Sequence, residues 1–344
     1  MSGQPFPRVG ILAPIARTLP PLGYGPWELV AYTLAEELTR MGVDVTVFAV
    51  GTSQVSGRLS SVIPGPTEGR TDISHPVANT LHIVDALRHA GEVDIIHNHF
   101  NVGPAMLSTL IATPMVTTLH AAGREAQNQP YFDYLQDATF ISLSQAERAF
   151  QPNLKYVSTV YNGVDFDGYI LKEEPGEYLI FTGRVVKEKG ILAAIALAKE
   201  VGLPLRIAGI IPDEEFYRAE IQPLIDGSFI QYVGNLPRAE LASLLSHAVA
   251  LVALMEWNDA CPLSVLDALA SGVPVIASRL GALPEMVQDG VTGILVDSAD
   301  EAARRLPEVR AISRSGCREA ARSQFSKEVM AAGYMAAYRQ ILAR

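Results

Sequence analysis

Two cations five positions apart, Arg184 and Lys189, carry the strongest chemical signal in the chain, and glycine brackets them: Gly183-Arg184-Val185-Val186-Lys187-Glu188-Lys189-Gly190. A guanidinium and an ammonium beside free backbone N–H groups suit a diphosphate, whose oxygens accept charge-assisted hydrogen bonds. Gly23-Tyr24-Gly25 is a second candidate phosphate cradle, although position 28 is Glu, so the third glycine of a dinucleotide fingerprint is missing. His120-Ala121-Ala122-Gly123-Arg124 follows an apolar run, and a histidine delivered there can reach a substrate. Asp259 and Asp267, eight positions apart, straddle Cys261-Pro262-Leu263-Ser264, where Pro262 suits the first turn of a helix. His75, His82 and His89 recur at a seven-residue interval that does not chelate a metal on a helix, and they read as surface histidines. His97 and His99 alternate at a strand end without a third ligand close by in sequence.

Each of these residues needs an element to hold it. Tyr178-Leu179-Ile180-Phe181 predicts a buried strand ahead of Arg184, and apolar residues at helical spacing predict a helix over 191–201 behind it. The same alternation runs through the chain. Strands are expected at 8–13, 43–50, 93–97, 114–119, 139–142 and 156–160, with helices at 27–41, 76–90 and 144–150. Beyond these, strands are expected at 205–211, 229–233, 250–255, 273–277 and 294–296, with helices at 214–225, 238–246, 262–271, 282–288 and 326–342. Residues 51–74, rich in Gly, Ser, Thr and Pro, read as one long loop. The fold class is α/β: two doubly wound, mostly parallel-sheet, Rossmann-like domains facing each other across a cleft, with ligands at the carboxyl ends of the strands. The turn-rich Tyr161-Asn162-Gly163-Val164-Asp165 marks the boundary. The expected domains are 1–165, 166–320, and a C-terminal helix over 321–344 that returns to the first domain.

Composition narrows the partners. With 27 Lys and Arg against 37 Asp and Glu the net charge is −10, shared by both halves, so neither half offers the basic field of a nucleic-acid binder or of a protein docked on anionic lipid. Two cysteines, Cys261 and Cys317, form no disulfide framework, which fits a reducing cytoplasm. Cys261 reads as a small buried filler. No apolar run reaches the roughly 18 residues of a membrane-spanning helix.

Taken in order, the motifs resemble family 4 retaining glycosyltransferases of the GT-B fold. The likeness is carried by Gly23-Tyr24-Gly25, Thr117-Thr118-Leu119-His120, Val160-Tyr161-Asn162-Gly163-Val164-Asp165, and Gly183-Arg184 with Glu188-Lys189-Gly190. It continues through Asp267-Ala268-Leu269-Ala270-Ser271-Gly272-Val273-Pro274-Val275 and Gly281-Ala282-Leu283-Pro284-Glu285 to Asp289-Gly290-Val291-Thr292-Gly293, so it spans nearly the whole chain. The resemblance implies that Gly23, Gly25 and Gly183 let backbone approach the donor's diphosphate. It makes Arg184 and Lys189 its cationic clamp and brings the amides of Leu263 and Ser264 to a phosphate. His120 orients the transferred sugar. The family's paired glutamates fall on Asp259, near the sugar, and Asp267, toward the ribose. Both are one methylene short, and Pro262 stands where the family has glycine.

The implied activity is metal-independent transfer of a hexose-type sugar, with retention, from a nucleoside-diphosphate sugar (UDP ahead of GDP) to a hydroxyl of a small-molecule or saccharide acceptor. Its route is front-face, with the leaving phosphate helping to deprotonate the acceptor. The acceptor is expected on the N-terminal domain, around 51–75 and 99–133. The alternative is a nucleotide-sugar-binding protein that has lost turnover through Asp259 and Asp267. A nicotinamide oxidoreductase lacks its Gly-x-Gly-x-x-Gly here, and a serine hydrolase its Gly-x-Ser-x-Gly elbow.

Overall fold

A computed structural model describes residues 6–100, 102–120, 129–174 and 176–343. The residues that follow His120, including Ala121, Ala122, Gly123 and Arg124, lie outside the described residues, as does part of the expected acceptor segment over 99–133. The chain divides into two units, Met1–Gly163 with Lys327–Arg344, and Val164–Ser326.

The first unit is built on a seven-stranded parallel sheet: β1 (Val9–Leu12), β2 (Val45–Phe48), β3 (Arg58–Ser60), β4 (Ile95–Asn98), β5 (Met115–Thr118), β6 (Thr139–Ser142) and β7 (Lys155–Thr159). Their spatial order is β3-β2-β1-β4-β5-β6-β7, so the direction of winding reverses between β1 and β4. Right-handed crossovers from such a reversal put helices on both faces, which is why β1, β2 and β4 are buried along their whole length. The last helix, Lys327–Leu342, packs on Pro26–Arg40 within this unit and buries Tyr334 and Tyr338 completely.

The second unit repeats the plan with β8 (Tyr178–Thr182), β9 (Leu205–Ala208), β10 (Ile230–Gly234), β11 (Ala248–Ala253), β12 (Val275–Ser278) and β13 (Gly293–Val296), in the order β10-β9-β8-β11-β12-β13. All pairs are parallel, and the reversal falls between β8 and β11. Such a reversal, at the carboxyl edge, is the usual ligand position in open α/β sheets.

Several expectations change. Residues 51–74 contain the edge strand β3, paired with β2 through Val47↔Leu59; its half-exposed residues lack an apolar pattern. The helix expected over 214–225 is three short turns, Glu214–Phe216, Tyr217–Ile221 and Gln222–Leu224, broken where Pro223 has no N–H to give. Two unanticipated helices, Ala299–Ala311 and Arg314–Phe325, follow β13. His82 is not a surface residue: it is 1% exposed, with Nε2 2.9 Å from the Ala13 carbonyl oxygen, and burial lowers its pKa to about 4.

Candidate functional site

The loops that leave β8 and β11 flank the reversal in the second unit, and they hold Arg184, Lys189 and Asp259. Two glycines allow neighbouring loops to touch, Gly190 between those after β8 and β11, and Gly281 between those after β11 and β12. Gly190 is left-handed (φ 76°), and a Cβ there would lie 1.8 Å from the Leu254 carbonyl oxygen; a Cβ on Gly281 would lie 2.7 Å from the Asp259 nitrogen. Backbone bonds complete the join, from Glu256 N to Glu188 O (3.0 Å) and from Ala282 N to Asp259 O (3.0 Å).

On this frame Arg184 rests its guanidinium 6.0 Å from the Trp257 ring centroid, a cation–π contact, and has no carboxylate within ion-pair distance among the described residues. Lys189 is ion-paired with Asp259, both side chains being largely covered. The two helices that flank the reversal, Ile191–Val201 and Leu263–Ala270, open on Gly190 and Pro262 without a side-chain cap. By contrast, the helix after edge strand β13 is capped by Ser298, whose hydroxyl accepts from Glu301 N. Uncapped first-turn amides, here including Leu263 and Ser264, are donors aimed at the sheet edge. Pro262 precedes this helix rather than forming its first turn. The Thr182 hydroxyl, at the end of β8 next to Gly183, is buried without a hydrogen-bond partner among the described residues.

Asp267 is 5% exposed in the second turn of its helix. Its Oδ1 accepts from the Tyr169 hydroxyl and from Arg238 Nη2 (3.1 Å), while no protein group is bonded to Oδ2 among the described residues. Burial first, and the Asp267 charge second, hold the Tyr169 phenol well above its ordinary pKa, so it remains a donor. Neither Tyr169 nor Arg238 was legible as a partner of Asp267. They lie 98 and 29 positions away, and only the fold joins them.

In the first unit Gly25 leads the Pro26–Arg40 helix, again without a side-chain cap. A Cβ on Gly25 would meet Pro21 Cβ at 2.7 Å, so the 20–26 turn closes only around glycine. Gly23 lies in the same turn. His120 follows β5 and is stacked on Trp27 (5.7 Å between centroids, 28° between planes). Its Nε2 lies 3.0 Å from His99 Nδ1. Thus the fold brings the His97-x-His99 pair, one near the end of β4 and one just past it with rings 4.0 Å apart between centroids, against the histidine after β5. Burial lowers the pKa of His120 to about 3 and holds His97 and His99 well below the usual histidine range. Among the described residues no three His, Cys, Asp or Glu side chains are placed to hold a metal ion.

Two doubly wound parallel sheets, the second with paired cations at its reversal, define the architecture of a two-domain α/β sugar transferase. Solved structures share this fold. Sucrose-phosphate synthase from Thermosynechococcus elongatus gives a TM-score of 0.79 over 98% of this chain and 99% of its own, at 20% identity. Anabaena Alr3699/HepE in complex with UDP-glucose gives 0.74 over 98% and 100%, at 16% identity. Residues 28–167 match the family described as Glycosyltransferase Family 4, and residues 168–324 match Glycosyl transferases group 1. The chain belongs to these family 4 glycosyltransferases of the GT-B fold, and it is an enzyme of sugar transfer. It is similar to the D-inositol 3-phosphate glycosyltransferase of Corynebacterium diphtheriae, 24% identical over 337 residues that cover 80% of this chain and 79% of that one. Among the described residues no helix is long and apolar enough to cross a membrane.

Proposed function

We propose that this enzyme transfers a hexose from a UDP-sugar to a hydroxyl of a soluble acceptor, with retention at the anomeric carbon and without a metal ion. The observation that carries the proposal is the Arg184 guanidinium, without an ion-pair partner among the described residues and braced on Trp257 beside two uncapped helix starts. Such a group, with Lys189 released from Asp259, stabilises the charge that grows on a leaving diphosphate as the sugar–phosphate bond breaks. Leu263 and Ser264 amides add donors to the phosphate, Asp267 Oδ2 accepts from a ribose hydroxyl, and His120 orients the sugar. Gly23 and Gly25 let the first helix approach the diphosphate. Asp259, once free of Lys189, turns to the sugar hydroxyls. UDP is preferred over GDP because a structure of the same fold is a UDP-glucose complex.

Thermal-shift titration with UDP, GDP, ADP and dTDP tests the reading, since a nucleotide that binds the native state raises its unfolding temperature by mass action. UDP is expected to give the largest shift, and Arg184→Ala or Lys189→Ala to abolish most of it. Wild-type stabilisation in either variant overturns the site assignment. Slow release of free UDP from donor alone, in the wild type, is the expected sign of turnover.

A further inference from the structure

Behind His120, wholly within the first unit, lies a buried row of hydrogen-bonding groups that the reading above leaves unused. Tyr338 OH is 2.6 Å from His97 Nδ1, and His97 Nε2 is 2.7 Å from Thr118 Oγ1. His99 Nε2 is 3.2 Å from His97 Nδ1, and His99 Nδ1 is 3.0 Å from His120 Nε2. None of these five side chains is more than 7% exposed. Because His99 offers opposite ring nitrogens to its two neighbours, the three imidazoles share no point where one metal ion could bind all of them. The arrangement is a relay of hydrogen bonds.

Proton counting gives the relay a direction. Buried and neutral, each imidazole carries one N–H. The Tyr338 hydroxyl is fully buried, and among the described residues its one hydrogen-bond partner is His97 Nδ1. A buried hydroxyl with nowhere to donate is unfavourable, so Tyr338 donates and Nδ1 accepts. His97 then carries its proton on Nε2 and donates to Thr118 Oγ1, which in turn lies 3.2 Å from Tyr334 OH. The one lone pair of His97 Nδ1 also faces His99 Nε2 at 3.2 Å, and a second lone pair there would repel it. Nε2 of His99 therefore holds the proton and is the longer, second donor beside the Tyr338 hydroxyl at 2.6 Å. His99 Nδ1 is therefore an acceptor, and His120 Nε2–H donates to it. That leaves the Nδ1 of His120 as a lone pair, with no protein donor bonded to it among the described residues.

We propose that Tyr338, His97 and His99 are positioning residues that lock His120 in its Nε2–H tautomer, so that Nδ1 is a fixed acceptor for a hydroxyl of the transferred sugar. The sugar contact rests on the assignment of His120 made above, whereas the tautomer does not. Trp27, stacked on the ring, fixes its plane, and the relay fixes its rotation about that plane's edge. An acceptor set in advance costs no reorientation when the sugar approaches its transition state.

The test reads the tautomer directly. In the full chain labelled with [15N]histidine, two-bond 1H–15N correlation spectra at neutral pH distinguish Nε2–H from Nδ1–H rings, with His120→Gln and His99→Gln supplying assignments. Wild-type His120 is expected as Nε2–H. Tyr338→Phe keeps the ring but removes the deciding proton, so His120 should show both tautomers. Thr118→Val removes the acceptor for His97 Nε2–H and should drive His120 toward Nδ1–H. Wild-type His120 protonated on Nδ1, or a tautomer unmoved in both variants, overturns the proposal. Kinetics with a UDP-sugar test the contact: kcat should fall about tenfold in Tyr338→Phe, with KM for the donor changed less than about twofold. Unchanged kcat overturns the contact. Absence of wild-type turnover alongside the expected tautomers overturns the donor assignment and the sugar contact while the relay's direction stands; normal turnover with unmoved tautomers overturns the relay alone.

Discussion

At the scale of single residues, Lys189 and Asp259 set up a competition. The ammonium that the proposal gives to the donor phosphate is held by a carboxylate, and any anion must displace that carboxylate first. Asp259→Ala should therefore bind UDP about three- to tenfold more tightly, by removing a charge that competes for Lys189. The same variant should lose about a hundredfold in transfer, through a misplaced sugar. Isothermal titration with UDP, set beside steady-state transfer rates, checks both directions, and weaker UDP binding would count against the competition. Arg184 and Lys189 were legible in the sequence because both stand in one glycine-bracketed loop. Trp257, Tyr169 and Arg238 were not: each meets its partner across at least 29 positions, and no spacing rule announces it. The histidines were half legible. Alternation paired His97 with His99 at a strand end, but only the pairing of β4 with β5 brings His120 to them.

Among the elements, the turn from β8 into the Ile191–Val201 helix shows what the sequence specifies well. Its apolar strand, glycine N-cap and uninterrupted helical pattern all agree, and the helix bounds fall where the pattern put them. Gly190 and Gly202 bracket this helix, both left-handed (φ 76° and 68°), yet only Gly190 faces backbone within contact distance. Gly190→Ala should destabilise the protein by about 3 kcal/mol or more, combining a strained φ with a clash on Leu254. Gly202→Ala should cost only about 1 kcal/mol. Urea unfolding of the two variants measures the difference. The helices Ala299–Ala311 and Arg314–Phe325 were missed for an opposite reason. They are strongly charged, Pro307 sits inside the first, and their apolar stripes are narrow: Ala302, Leu306 and Val309 in one, Cys317, Ala321 and Phe325 in the other, behind the Ser298 and Ser313 caps.

For the whole molecule, four histidines (His82, His97, His99 and His120) are buried and uncharged, and each has its pKa lowered chiefly by desolvation. The unfolded chain would protonate them near the ordinary value of 6.5. Their contribution to stability is thus complete above that pH and declines as pH falls toward the folded values. For His82, with a folded pKa of about 4, the loss across that interval is about 3 kcal/mol. Urea midpoints measured from pH 7.5 down to 4.5 should fall, and His82→Gln should fall less steeply. The chain's path adds an order of events. It leaves the first unit at Gly163 and returns at Lys327, so Tyr334 and Tyr338, which cover His97, are encoded after the entire second unit. During vectorial synthesis the second sheet can close on the ribosome while the first still lacks its lid of tyrosines. Until residues 327–343 emerge, His97 lacks the two tyrosine rings that cover it and the hydroxyl that bonds its Nδ1. The chemistry of the N-terminal half therefore waits on residues translated after the whole second unit.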